Sequence, residues 1–441
     1  MHIGNKWSKF GAIALAVGIT GSGLATQTTA ADLGGDCCAD LEERVAELEA
    51  TTARKGNRKV SLTITGWVAE QVMWWDDGSE SNVYVTGVGT SNATRFFIKG
   101  SAKIRPGLSA GYLIHVEADT ADPLYGLSQD DDDAAFGVVM KKSFWFIDSK
   151  RLGKVSMGQL SPASDNTAMF VDASGTFVPA NWAMYDNNFF YLNSDGVRAG
   201  GLRWADISHC NTRGATNRIG FAGDCGGGGG AGNYVRYDSP TFAGFSVSAD
   251  WGEDDAWDVA ARYAGEFNGV KVAAAASYYV NNEYRGVHFD QVSYFQIGAY
   301  IQHVPTGLFA YGAYGHLESD YLPTAPANLV DSADNWYVKA GVRRKWMPLG
   351  HTVLFGEYGE RNDGIDQTAF INAQGSYATD SNVKQWGLGV LQEIDAAAMS
   401  MWLVYRNYEG DATLAPTQAA AARNIDFDDM HIVKFGGLIK F

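Results

Sequence analysis

The residues with most to offer chemically lie between 161 and 231. Asp165, Asp172, Asp186 and Asp195 occur there with Phe170, Phe177, Trp182, Phe189 and Phe190 between them. No plausible Ser/His/Asp set accompanies these carboxylates. The chain has no HExxH, no Walker loop and no GxGxxG between a strand and a helix. Gly226–Gly230 is a flexible tract rather than a phosphate cradle, because no helix follows it. Asp130–Asp133 lack the ligand spacing of a calcium loop. An enzyme, a metal site and a cofactor are therefore not expected, and what remains is electrostatic chemistry. A loop this long and this aromatic does not simply hang in water. Folded inward, it buries its rings against a wall and turns its carboxylates toward that wall's cations. Arg95, Lys99, Arg236, Arg262 and Arg343 are the candidates for the opposing row. Opposed charge rows across a narrow wet gap set up a transverse field that sorts solutes by size and charge. Asp165, Asp172 and Asp186 with those cations are the candidate constriction residues, with a mild preference for cations expected.

The wall has to be a sheet. From Val60 onward apolar and polar residues alternate with the period of a β-strand. Sixteen strand candidates follow: 60–75, 94–104, 108–118, 136–148, 153–160, 232–238, 244–251, 257–264, 270–279, 291–303, 308–317, 335–346, 351–360, 383–393, 398–408 and 430–441. In the last, His431, Val433, Phe435, Gly437, Ile439 and Phe441 share one face, and Ile432, Lys434, Gly436, Leu438 and Lys440 the other. Phe96 and Ile98 oppose Arg95 and Lys99; Val259 and Ala261 oppose Asp258 and Arg262; Val338 and Ala340 oppose Lys339 and Arg343. Inward charges in a small barrel would be buried at several kcal/mol. Sixteen strands enclose water, so the same charges are solvated. Short turns alternate with long loops, as in barrels that span an outer membrane. The expected fold is all-β, a sixteen-stranded antiparallel transmembrane barrel with its third loop folded inward.

Composition agrees. Aromatics make up 13% and charged residues 19% of the chain, and no mature segment is apolar for long enough to be a membrane helix. A net charge of -16 argues against nucleic acid as a partner. Lys6 and Lys9 precede an apolar run that ends in small residues at Thr28-Thr29-Ala30, which reads as a signal peptide over 1–30. The mature chain then begins at Ala31. Residues 31–59 form an N-terminal periplasmic segment in which Leu41, Val45 and Leu48 keep heptad spacing, a short coiled coil that implies an oligomer. Residues 60–441 form the barrel, with 161–231 as its constriction loop. Cys210 and Cys225 lie in this loop, just ahead of the glycine tract, and form a disulfide in an oxidising compartment.

Several stretches resemble one family. Tyr237-Asp238-Ser239-Pro240-Thr241-Phe242-Ala243-Gly244-Phe245 is similar to the third periplasmic turn of alphaproteobacterial porins. Lys154-Val155-Ser156-Met157-Gly158-Gln159 resembles the strand that leads into the constriction loop of general porins. Cys37-Cys38-Ala39-Asp40-Leu41-Glu42-Glu43-Arg44-Val45-Ala46-Glu47-Leu48-Glu49 resembles the family's N-terminal segment, and terminal Phe441 its assembly signal. The resemblance implies a homotrimer in the outer membrane, among lipid and lipopolysaccharide, passing ions and small hydrophilic solutes by diffusion. Segment 161–231 is longer than the equivalent loop of enteric general porins. The resemblance also makes Ala31-Asp32 similar to termini joined to peptidoglycan, with Ala31 as the attachment point. Trp182 and Tyr185 keep a sugar-selective channel as an alternative, and a tether between outer membrane and cell wall is a second.

Overall fold

The computed structural model describes residues 59–441, apart from 90–91, 120–122, 125, 133–136, 209–230, 254, 283–288, 322–328 and 416–420. The signal peptide, Ala31, the heptad segment, Cys210, Cys225 and the glycine tract lie outside the described residues.

Sixteen antiparallel strands close into a ring. In chain order they are β1 (Thr63–Asp76), β3 (Arg95–Arg105), β4 (Leu108–Asp119), β5 (Gly137–Ser149), β6 (Gly153–Leu160), β9 (Gly232–Asp238), β10 (Phe245–Gly252), β11 (Ala256–Phe267), β12 (Val270–Asn281), β13 (Phe289–His303), β14 (Leu308–Tyr321), β15 (Ser332–Met347), β16 (Gly350–Asn362), β17 (Ala378–Ile394), β18 (Met399–Leu414) and β19 (Arg423–Lys440). A short β2 (Ser81–Thr86) pairs with the upper half of β1, and β7 (Tyr191–Ser194) with β8 (Val197–Arg203) forms a separate hairpin. Among the described residues one α-helix, α1 (Gln367–Gln374), is capped by Asp366, whose carboxylate accepts from the amides of Thr368 and Ala369. No helix among the described residues is long and apolar enough to cross a membrane.

Closure is made by β1 against β19, in register from Trp67 opposite Lys440 to Asp76 opposite His431. Phe441 continues that ladder: its N–H donates to the carbonyl of Gly66, and its carbonyl accepts from the Gly66 N–H. Each expected strand is present. Most differences lie at the long-loop ends, where β17 begins at Ala378 and β18 continues to Leu414. Those ends carry polar residues on both faces, so hydrophobic alternation fades before the hydrogen bonds do.

The two faces meet different media. On β19, Phe435 is 50% exposed while Lys434, one residue away, is 3% exposed. Ile64, Val68, Val72, Trp145, Val259, Ile297, Leu354, Leu388 and Ile439 point outward in the same way. An apolar outside with charged residues inside is the reverse of a soluble barrel and fits a lipid belt. The short turns carry the expected chemistry. Between β11 and β12, Asn268 and Gly269 both take positive φ (48° and 77°), the pattern of a two-residue hairpin turn whose twist matches its strands.

Candidate constriction site

The segment after β6 does not leave the barrel. It runs around the inner wall from β10 to β19, then reaches β1, held at each step by wall side chains. At its start, Arg236 on β9 donates to the carbonyls of Ser161 and Pro162 at 3.1 and 3.0 Å. Asp250 and Asp258 face each other across β10 and β11. Asp258 accepts from the amides of Ala163 and Ser164 at 3.0 and 2.8 Å, and Asp250 from that of Ala163. Arg262 lies beneath this pair, donating to Ser248 and to the Ala163 carbonyl. On β13, Gln296 donates to the Ser164 carbonyl and accepts from the Ala168 amide, both at 2.9 Å. Gly298 next to it leaves space for the chain: a Cβ there would sit 2.2 Å from the Ala168 carbonyl oxygen.

The three expected carboxylates are buried, and each meets wall groups or its own loop rather than open water. Asp165 accepts from Ser161 and Asn166, and Ser161 in turn accepts from Lys142 on β5. Asp172 pairs with Lys339 on β15 at 2.7 Å, both side chains with no exposure. The same ammonium donates to Thr176 at 2.8 Å and Asn181 at 2.5 Å, which uses all three of its protons. Asp186 pairs with Arg406 on β18 and with Lys434 on β19, the latter at 2.7 Å. Arg406 also donates to Glu357 at 2.6 Å and to the carbonyls of Pro179 and Ala180 at 2.7 and 2.6 Å. These are charge-assisted bonds away from bulk water, the strong kind.

The expected cations are spread around the ring. Arg236 and Arg262 touch the loop. Arg343 pairs with Glu393 at 2.8 Å near Gly175. Arg95 pairs with Glu117 at 2.7 Å and lies over the Trp67 ring at 4.5 Å. Lys99 is half-buried on the inner face of β3 and makes no ion pair among the described residues. The loop acids therefore meet Lys142, Lys339, Arg406 and Lys434 more closely than they meet Arg95, Lys99 or Arg343. Lys339 and Lys434 carry the inward parity of their strands, a signal present in the sequence. Their height relative to the loop is not, because strand tilt sets it.

Of the rings in this stretch, Phe170 is exposed and Phe177 half-buried, while Trp182 and Tyr185 are buried. Phe170 is 40% exposed and stacks on Phe177 with centroids 5.5 Å apart. Phe177 meets Trp182 edge-on at 5.6 Å, and Trp182 meets Tyr185 at 4.7 Å. Gly89, beyond β2, also turns inward against the Tyr185 ring. Farther along, the loop carries the hairpin β7–β8. Its turn residues Asp195 and Gly196 both have positive φ, a two-residue turn that the Asp-Gly pair signals in sequence. Beyond it Asp206 accepts from the Arg203 amide, and its own carbonyl accepts from Asp366 at the start of α1. Burial beside the Asp366 carboxylate pushes the Asp206 carboxyl up to about 7.

Gly107-Leu108-Ser109-Ala110-Gly111 spells GxSxG, a motif usually associated with a nucleophile elbow. Here it is a hairpin turn entering β4, with Ser109 paired to Lys103 and no helix after it. The strand–turn–helix context of that motif is missing.

The sequence profile of the Gram-negative porin family matches residues 12–413. No curated protein sequence matches the chain. Among solved structures, the anion-selective porin from Comamonas acidovorans is similar over 87% of this chain and 100% of its own, at 13% identity and a TM-score of 0.52. The outer membrane channel DcaP of Acinetobacter baumannii is similar over 88% of this chain and 100% of its own, at 10% identity and a TM-score of 0.50. Identities this low speak for the fold alone, whereas the profile covers most of the chain. With a closed barrel, an apolar outside and a loop strapped across a charged interior, the chain belongs to the Gram-negative porin family and is an outer-membrane diffusion channel.

Proposed function

We propose that the channel passes ions and small hydrophilic solutes passively, with segment 161–208 as its size filter. The observation that carries this is the tie of Asp172 to Lys339 and of Asp186 to Arg406 and Lys434. Those pairs hold the loop in the lumen, and their fields largely cancel. Selectivity is then weakly cationic, set by a net charge of -16 rather than by bare acids at the constriction. Conductance in planar bilayers with neutral polymers of graded size, and the zero-current potential in a salt gradient, test both parts. A size cut-off unaffected by releasing the loop would sink the first, and a strong ion preference the second.

The aromatic run favours a second reading. The exposed Phe170 ring, backed by Phe177, offers a stacking face to a cyclic solute such as a sugar, while Trp182 and Tyr185 are buried behind it. Saturable block of the current by one class of cyclic solute, lost in Phe170→Ala, would establish it.

The remaining assignments rest on sequence and placement. Glu70 stands halfway along β1 on the outer face, between Val68 and Val72. A carboxylate in the apolar belt is costly unless protein covers it, so we place the contact between copies of a homotrimer there. Heat-modifiable gel migration tests this. Membrane lipid and lipopolysaccharide would cover the rest of the belt. We place the chain in the alphaproteobacterial branch on its Tyr237–Phe245 turn and N-terminal segment. We assign a disulfide to Cys210 and Cys225, an assembly signal to Phe441 and peptidoglycan attachment to Ala31. Thiol titration before and after reduction tests the disulfide. Mass analysis of muramidase-released N-terminal peptides tests the attachment.

A further inference from the structure

The outer face is not uniformly convex. Across β14, β15 and β16 a trough of about 730 Å³ continues upward into one of about 630 Å³. Its floor is Ala310, Gly312, Ala340 and Gly356, all outward-facing; Leu354 and Leu388 form its banks. Two of those floor positions have no internal reason to be glycine. Neither takes a positive φ. A Cβ on Gly312 would find its nearest neighbour at 3.8 Å, and one on Gly356 at 3.3 Å from the movable end of Leu388. The contrast is with Gly341 and Gly389 on the inner face, where a Cβ would strike the rings of Phe309 and Phe355 at 2.7 and 2.3 Å. The outward glycines leave space that the barrel itself does not need.

The trough ends below at Val342, and a cation stands just beyond it. Arg344 follows Val342 on the outer face of β15 and is exposed, with no ion pair among the described residues. Trp346, 51% exposed, stands beside it at the short-turn rim. From Arg344 up to Val338 is six residues of strand. At about 3.3 Å per residue and a tilt near 40°, that is a depth of roughly 15 Å, half the hydrocarbon core. The short turns of such barrels lie on the periplasmic side, so the trough occupies the periplasmic leaflet.

We propose that this trough is a binding site for one anionic phospholipid of the periplasmic leaflet, its headgroup phosphate on Arg344 and an acyl chain along Ala340 and Gly356. A cation at headgroup depth below an apolar slot one leaflet deep matches that molecule. A second copy of the chain matches it less well. The outer surface carries its mid-belt carboxylate, Glu70, on β1, several strands away around the ring.

The test is native mass spectrometry of the intact protein released from nanodiscs of equal phosphatidylglycerol and phosphatidylethanolamine. The wild type is expected to retain phosphatidylglycerol preferentially. Arg344→Gln should lower that preference about tenfold, the loss of one charge-assisted phosphate contact, and Arg344→Lys should keep most of it. Gly312→Leu with Gly356→Leu fills the slot from outside and should remove retained lipid of either headgroup, with heat-modifiable migration unchanged. An unaltered preference in Arg344→Gln overturns the headgroup contact. Undiminished lipid in the filled variant overturns the site. Dissociation of the filled variant into single barrels overturns it in favour of a contact between copies.

Discussion

At the scale of single residues, the ion pairs inside this barrel act as fasteners. Lys339 has no exposure and spends its protons on Asp172, Thr176 and Asn181. Replacing it with Met leaves the Asp172 carboxylate buried without its countercharge, at a cost of about 3–5 kcal/mol. That cost falls on the loop rather than on the strand ladders. We expect Lys339→Met to raise single-channel conductance and current noise while the barrel melts within a few degrees of wild type. Adding Asp172→Asn removes the stranded charge and should recover much of the closed behaviour. Equal conductance in all three proteins would show that the loop is held by its apolar contacts alone. Gly298→Val reaches the same loop by steric means, because its side chain would overlap the Ala168 carbonyl. It should displace the loop without touching a charge.

At the scale of elements, the extracellular end carries a titratable joint. Asp206 ends a short turn beneath α1, facing Arg203 and the Asp366 cap. Its folded pKa of about 7 lies above the model-peptide carboxyl value of 3.8. Such a group favours the packed arrangement while protonated. The advantage is fully present below about pH 4, declines as pH rises through that window, and is gone above about 7. Protection of the amides over residues 203–208 and 366–370, relative to their intrinsic exchange rates, should therefore be higher at pH 5 than at pH 8. Asp206→Asn should flatten that difference. An unchanged pH dependence in Asp206→Asn would locate the titration elsewhere.

At the scale of the whole molecule, closure and permeation are separable. Phe441 adds a pair of backbone hydrogen bonds with Gly66 to a long ladder, and its ring is 62% exposed. One aromatic contributes about 1.5–3 kcal/mol by area, small against sixteen strands. Deleting Phe441 is expected to slow insertion into vesicles severalfold and to change the melting temperature little; early melting with normal insertion kinetics would reverse that order. Changing Asp186 to Asn together with Lys434 to Met removes an opposed pair whole and should leave the reversal potential nearly unchanged, since the two charges already cancel. A large shift of reversal potential toward anions at low salt, fading at high salt, would mean that their fields reach the permeation path after all.

The barrel was legible in the sequence because its physics is local. Alternation along 430–441 or 335–346 reports two media on either side of one strand, and period two needs no partner to be visible. Asp-Gly at 195–196 marks its turn in the same way. The strap across the lumen was legible only as a need: a long aromatic loop with carboxylates had to bury its rings somewhere. Which cation met which carboxylate was settled by tertiary geometry. Strand tilt and the loop's path brought Lys339 to Asp172 across 167 positions of sequence, and Lys434 to Asp186 across 248. Residue type and inward parity made Arg95, Lys99 and Arg343 as eligible as Lys339, Arg406 and Lys434. Only closure of the ring decides height, and only height decides which inward charges the loop can reach.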